Sequence, residues 1–368
     1  MENAQNELDR LWQELKRQKL QKQDYIVHAR SLSVARDADH NRWQLGFDLE
    51  GGKQNFNITE HTHGQISQKT KIPKRHYDRL RDNYPELFQA EVNGIMNNPD
   101  IDEVDRKHLV RTLDGKARAF LSNSYRVVDN YDILVQAMTI FDRMNKENHM
   151  DIKIDRGDLT ETRLYIKATS ETLIGEVFGR LDKKVGDPVR GGIVISNSEV
   201  GAGAVRVMPF MTNLACMNGM VRDVGIHRVH IGRKHKEVGE IDWSEQTRML
   251  EDQTLMSQIQ DMITSTFTPE IFSQWLEDLN RKAIQEIPKP QLAVNNVVRN
   301  FNIKDENVEA LTAQFMREGP TRWGLANAVT FVAQHQEDYE HQIEMEKIGG
   351  QIMEVPMKVL QQEEEKSS

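Results

Sequence analysis

The sequence predicts an α+β fold: an antiparallel sheet core with flanking helices, followed by an acidic helical C-terminal region. Three observations carry this. The stretch Gly191–Gly232 holds two β-branched runs, Ile193–Ser196 and Ala204–Met208, joined by a Gly-rich turn and followed by a third alternating run. Upstream, short runs at Tyr25–Ala29, Trp43–Leu49 and Asn55–Ile58 are separated by Asp, Asn and Gly, the pattern of an antiparallel meander. Beyond Ile241 the apolar spacing becomes helical and stays so.

The 368 residues, 38% of them hydrophobic, suffice for a sizeable core in two domains or one large one. The single cysteine, Cys216, excludes an internal disulfide, and no stretch approaches the roughly 18 continuous apolar residues of a membrane span. The first residues hold no apolar signal-peptide core, so a cytoplasmic location is expected. The net charge of −9 is unevenly spread: residues 1–240 carry about +2 and residues 241–368 about −11. A basic face is therefore available only in the first two thirds, while the acidic third suits folding support or a protein partner.

Residues 1–23 form a polar helix whose second half is basic, with Lys16, Arg17, Lys19 and Lys22. Residues 24–240 make the α+β core. Within it Thr59 is the N-cap of a helix, Ile72-Pro73 breaks the run, and a second short helix begins near Lys74. On that helix Arg75 and Arg79 share a face, and Tyr77, Leu80 and Tyr84 fall on the other. With Lys69, Lys71, Lys74 and Arg81 they make the densest basic cluster in the chain. The outline is that of a helix-turn-helix, but the second helix lacks the length and side chains of one that reads a DNA groove. Segment 92–107 reads as an acidic loop. Residues 241–368 give successive helices: Trp243–Ile263, one opened by Thr268-Pro269, one striped by Val294, Val297, Val298 and Phe301, and one stopped by Gly319-Pro320. Another runs from Thr321 to about His335, and a polar one precedes the tail EEEKSS.

Binding chemistry is suggested by two strands. In Lys116–Leu121, alternation sets Lys116, Arg118 and Phe120 opposite Ala117, Ala119 and Leu121; in Arg163–Ala168 it sets Arg163, Tyr165 and Lys167 opposite Leu164, Ile166 and Ala168. Cations interleaved with rings suit single-stranded nucleic acid, because the cations neutralise phosphates while each ring stacks a base for about 1–3 kcal/mol. The bland alternative is that Lys and Arg decorate the wet face of a half-covered sheet. On the binding reading, Arg118, Arg163, Lys167, Arg206, Arg228, Arg233, Lys234 and Lys236 hold phosphates. Phe120, Tyr125 and Tyr165 stack bases, and Lys71, Lys74, Arg75 and Arg79 form an outer rail.

Other chemistries find less support. No phosphate-binding G-x-x-x-x-G-K-[ST] occurs, and Gly201-Ala-Gly203 lacks the context of a dinucleotide site, so no nucleotide cofactor is expected. Cys216 sits in an apolar segment and reads as core. The pairs His61/His63 and His227/His230 lack the spacing of a metal site. Asp151-x-Lys153-x-Asp155, with Asp158 and Glu161, has the residue types of a metal-dependent nuclease but lies where a turn is expected anyway. Asn218-Gly219 is a turn signal.

The blocks KARAFLSNSYRVVDNYDIL, ISNSEVGAGAVRVMPFMTNLACMNGM, HRVHIG and TRWGLANAVT, in that order, resemble those of the phage- and plasmid-borne family numbered 932 among the domains of unknown function. The resemblance runs from about Tyr25 to His335 and implies a mobile-element protein of bacteria, with no catalytic residues to carry over. In setting, such proteins are similar to phage single-strand annealing proteins, which pair complementary strands without ATP as rings or filaments; that analogy implies a homo-oligomer. Together these readings predict a non-enzymatic protein that binds and anneals single-stranded DNA. The alternatives are a phage interaction protein docking an acidic partner, and a metal-dependent nuclease.

Overall fold

The computed structural model describes residues 2–37, 39, 41–49, 52–98, 107–123, 125–181, 185–222, 227–229, 245–336 and 338–362. The N-terminal part runs α1 (Glu2–Gln21), β1 (Gln23–His28), β2 (Ser33–Asp37), β3 (Arg42–Leu49), β4 (Gly52–Ile58), α2 (Glu60–Lys69), α3 (Lys74–Asn83), α4 (Pro85–Met96), β5 (Lys107–Leu113) and β6 (Lys116–Ser122). Then come α5 (Asn130–Asn148), β7 (Ile152–Leu159), β8 (Leu164–Val177), β9 (Asp187–Asn197), β10 (Val205–Asn213), β11 (Gly219–Val221) and β12 (His227–Val229). The rest is helical: α6 (Glu245–Thr266), α7 (Pro269–Ala283), α8 (Pro290–Phe301), α9 (Val308–Glu318), α10 (Arg322–Ala333), α11 (Tyr339–Glu354) and α12 (Met357–Leu360).

The fold is α+β, with two sheets dominated by antiparallel pairing. Helix starts fall where capping chemistry sets them: Thr59, Thr268 and Thr321 each accept a backbone N–H of the first turn through their side chains, and Gly319, at φ 96°, ends α9. The first sheet has the order β1-β5-β6-β4-β3-β2. Of the three runs expected as a meander, only the second and third, β3 and β4, are neighbours; β2, which the sequence pattern did not mark, pairs with β3 at the edge. β1 crosses to the far edge and pairs with β5, and a short parallel contact of β4 with β6 joins the two halves. Helices α2, α3 and α4 cover one face, burying Phe47, Phe56, Ile66, Tyr77, Phe88 and Phe120.

The second sheet has the order β11-β10-β9-β8-β7, with β12 beside β10. Its inward residues, among them Ile166, Ile193, Ile195 and Val207, share one core with Ile259 of α6, Trp275 of α7, Val294 of α8, Val329 of α10 and Ile352 of α11. The helical region expected beyond residue 240 is therefore a layer of this core rather than a body packed apart from it. At Gly350 a Cβ would lie 2.0 Å from the Val221 carbonyl oxygen, so α11 rests directly on the backbone of β11.

The two sheets meet at the turn after β9. Glu199 is 2% exposed; its carboxylate binds Arg118 of β6, accepts the Asn130 N–H at 2.6 Å and lies 3.2 Å from Lys22 Nζ. Arg111 of β5 donates to the Glu199 carbonyl at 2.8 Å and pairs with Asp24 and Asp129, and Lys22 reaches Asp129 at 2.7 Å. Three cations thus face three carboxylates, so that removing any one partner would leave a buried or half-buried charge uncompensated. Burial alone would raise the Asp129 pKa, but Lys22 and Arg111 hold it below the usual carboxylate range.

Candidate nucleic-acid interface

The predicted strand faces are not free surfaces. In the first sheet, β5–β6 pairing runs Arg111↔Ala119 and then Thr112↔Ala117, skipping Arg118 as the extra residue of a bulge. The bulge reverses the alternation: Phe120 joins Ala117 in the core beneath α2–α4, while Ala119 and Leu121 pack with Val200 on the opposite face. Arg118 and Phe120 therefore do not share a face. Phe120 is 1% exposed and stacks on His108 at 4.4 Å, and Arg118 is taken by Glu199. Neither can meet a strand of nucleic acid. Tyr125 is half-buried, its hydroxyl donating to the Ser198 carbonyl at 3.2 Å.

In the second sheet the alternation is as expected. Tyr165, Ser196 and Arg206 are successive cross-strand neighbours and so share a face, with Arg163 and Lys167 two residues either side of Tyr165; in the backbone register Arg228 stands opposite Arg206. That face is covered, because the first half of α11 lies across it. Tyr339 and Ile343 pack with Tyr165, Val194, Met208 and Phe210. Glu346 takes the Lys167 ammonium with both carboxylate oxygens at 2.9 Å, and Phe210 and Tyr339 offer it their ring faces at 4.4 and 5.8 Å. Arg163 lies 3.5 Å from Glu340 and donates to the Ala202 carbonyl. The acidic segment thus supplies in cis the counter-charge that the sequence assigned to phosphates, and Tyr165, 1% exposed, stacks on no base. Arg206 is half-buried; the side chain of Arg228, and residues Arg233, Lys234 and Lys236, lie outside the described residues.

The outer rail has a different fate. Lys71, Lys74, Arg75 and Arg79 are all exposed. Ile72 and Tyr77 anchor the turn and the buried side of α3, and the Tyr77 hydroxyl lies 2.8 Å from His63 Nδ1. Lys74 is neutralised by Asp78, and Arg81 by Glu60 and Asp82. Among the described residues Lys71 and Arg75 have no carboxylate partner, and Arg79 contacts only the Tyr84 ring, at 5.9 Å. Tyr84 is itself 45% exposed, and Leu87 beside it 61%. One turn apart on α3, Arg75 and Arg79 present two guanidinium groups with a ring at their end. Tyr84 was missed as a stacking candidate because helical spacing places it on the apolar side; the Asn83–Pro85 break frees it.

Elsewhere, Asp155 accepts a hydrogen bond from Thr169 at 3.1 Å, and burial raises its pKa. Among the described residues no group of three His, Cys, Asp or Glu is placed to hold a metal ion, and no helix is long and apolar enough to cross a membrane.

A profile of the family described as "Domain of unknown function (DUF932)" matches residues 119–355. The matched span starts near the first of the sequence blocks rather than at about Tyr25, and runs past His335 to take in α11, so the helix that covers the second sheet belongs to the shared unit; the rail on α3 lies before it. No curated protein and no solved structure matches the chain.

Proposed function

We propose, for a chain that belongs to the DUF932 family and takes no named activity from it, that it binds single-stranded DNA without a nucleotide cofactor. On this reading the contact surface is the exposed side of α3, not the strand face. The observation that carries it is the pair Arg75 and Arg79, free of carboxylates among the described residues and ending at the exposed Tyr84 ring. Guanidinium groups contact phosphates, and a ring already holding Arg79 on one side has its other side for a base. Lys71 extends the track before the helix begins. Annealing of complementary strands follows if two copies present their tracks together.

The test is a polarisation titration of a labelled oligonucleotide at several salt concentrations. Three phosphate contacts give a slope of log affinity against log salt near −2, a loss of roughly 20-fold between 50 and 200 mM. R75E/R79E is expected to abolish most of the affinity and flatten the slope. Absence of salt-sensitive binding by the unaltered chain refutes the reading. Capture of an acidic protein by the same surface, with Leu87 as its apolar anchor, is the outcome that replaces it.

A further inference from the structure

The two edges of the first sheet are finished differently. At β2, the Asn93 side chain of α4 accepts the Val34 N–H at 2.7 Å and donates to the Val34 carbonyl at 2.8 Å, occupying the backbone groups a further strand needs. β1 has no side chain that takes both backbone groups of one residue in this way among the described residues, although the carbonyl of its last residue, His28, accepts a side-chain bond from Ser31 at 2.9 Å. It pairs with β5 alone, and Ile26 is 53% exposed although its neighbour Leu109 is 5% exposed.

We propose that β1 is a self-association edge, on which two copies of the chain pair antiparallel about a two-fold axis at Ile26 and join their first sheets into one. The strand is self-complementary only in that register. Asp24, Ile26 and His28 point to one face, and Tyr25 and Val27 to the core face. Centred on Ile26, Ile26 meets Ile26 of the second copy, Asp24 meets His28 of the second copy twice over, and Tyr25 meets Val27 on the core side. A centre between two residues sets core-facing positions against solvent-facing ones. A centre on Tyr25 sets Asp24 against Ile26. Asp24 gives one carboxylate oxygen to Arg111 Nε at 2.8 Å and keeps the other for the imidazole. This surface is distinct from the rail on α3, and the proposal stands whether or not the chain binds nucleic acid.

Sedimentation equilibrium of the full chain is expected to show a reversible dimer. H28D sets carboxylates opposite each other at two symmetry-related places and is expected to raise the dissociation constant roughly tenfold; H28K, with a permanent charge, lowers it. Opposed Cα atoms of antiparallel strands lie about 4.5–5.5 Å apart, within reach of a disulfide. Hence C216S/I26C is expected to cross-link into a dimer under mild oxidation, and C216S/Q23C is not. A chain monomeric at its highest soluble concentration, or a dimer indifferent to H28D and without the I26C cross-link, overturns the proposal.

Discussion

Lys167→Ala removes the cation from beneath α11 and leaves Glu346 without it. The Glu346 side chain is 2% exposed, and its remaining neighbour is the Gln342 amide at 3.3 Å. A buried carboxylate stripped of its partner costs about 3–5 kcal/mol. Spread over an unfolding entropy of roughly 2.1 cal/mol/K per residue, that lowers the melting temperature by about 5 °C. Replacing both groups, as in K167M/E346L, recovers most of the loss, because the desolvation cost goes with the charges and Phe210 and Tyr339 accept an apolar neighbour as readily as an ammonium. The assay is thermal or urea unfolding of the two single variants and the double variant, beside oligonucleotide binding. A K167A variant that melts like the parent, or a double variant no better than either single one, refutes the reasoning; so does a selective loss of DNA affinity at unchanged stability.

Two further outcomes follow from the same physics. His63 is 3% exposed and burial lowers its pKa to about 4, so it stays neutral in the fold while the unfolded chain takes up a proton below its ordinary value near 6.5. Its contribution is intact above pH 6.5 and declines by roughly 3 kcal/mol as pH falls to about 4, a slope that H63Q should remove from urea unfolding curves. Glu199→Gln keeps the shape of the junction but leaves Arg118 without its carboxylate and Lys22 with Asp129 alone; a loss of about 3 kcal/mol is expected in urea unfolding, with the two sheets unfolding in separate transitions as they uncouple.

Local signals made much of this architecture legible. Thr59, Thr268-Pro269 and Gly319-Pro320 mark helix boundaries because caps and proline act on their own few residues. The pairing of β9 with β10 follows from β-branched runs about a Gly-rich turn. What the strand pattern cannot carry is which element covers a face. Tyr165 and Lys167 have the alternation of a wet surface, and whether that surface meets water, phosphate or Glu346 is decided 179 positions away along the chain. The bulge at Arg118 is equally silent, since one extra residue in β6 reverses the phase without altering composition. Cations on α3 are legible for the opposite reason: a short helix exposing Arg75 and Arg79 needs no distant element to define its outer side.

That separation also orders events during translation. The strands of the second sheet are synthesised by Val229, yet Tyr165, Val194, Met208 and Phe210 gain their cover only when Tyr339 and Ile343 leave the ribosome. A nascent chain paused in the interval, or a product cut short before α11, displays an apolar strip and an unmatched ammonium. Premature termination anywhere between β12 and α11 should therefore yield chaperone clients and aggregates rather than a smaller working protein.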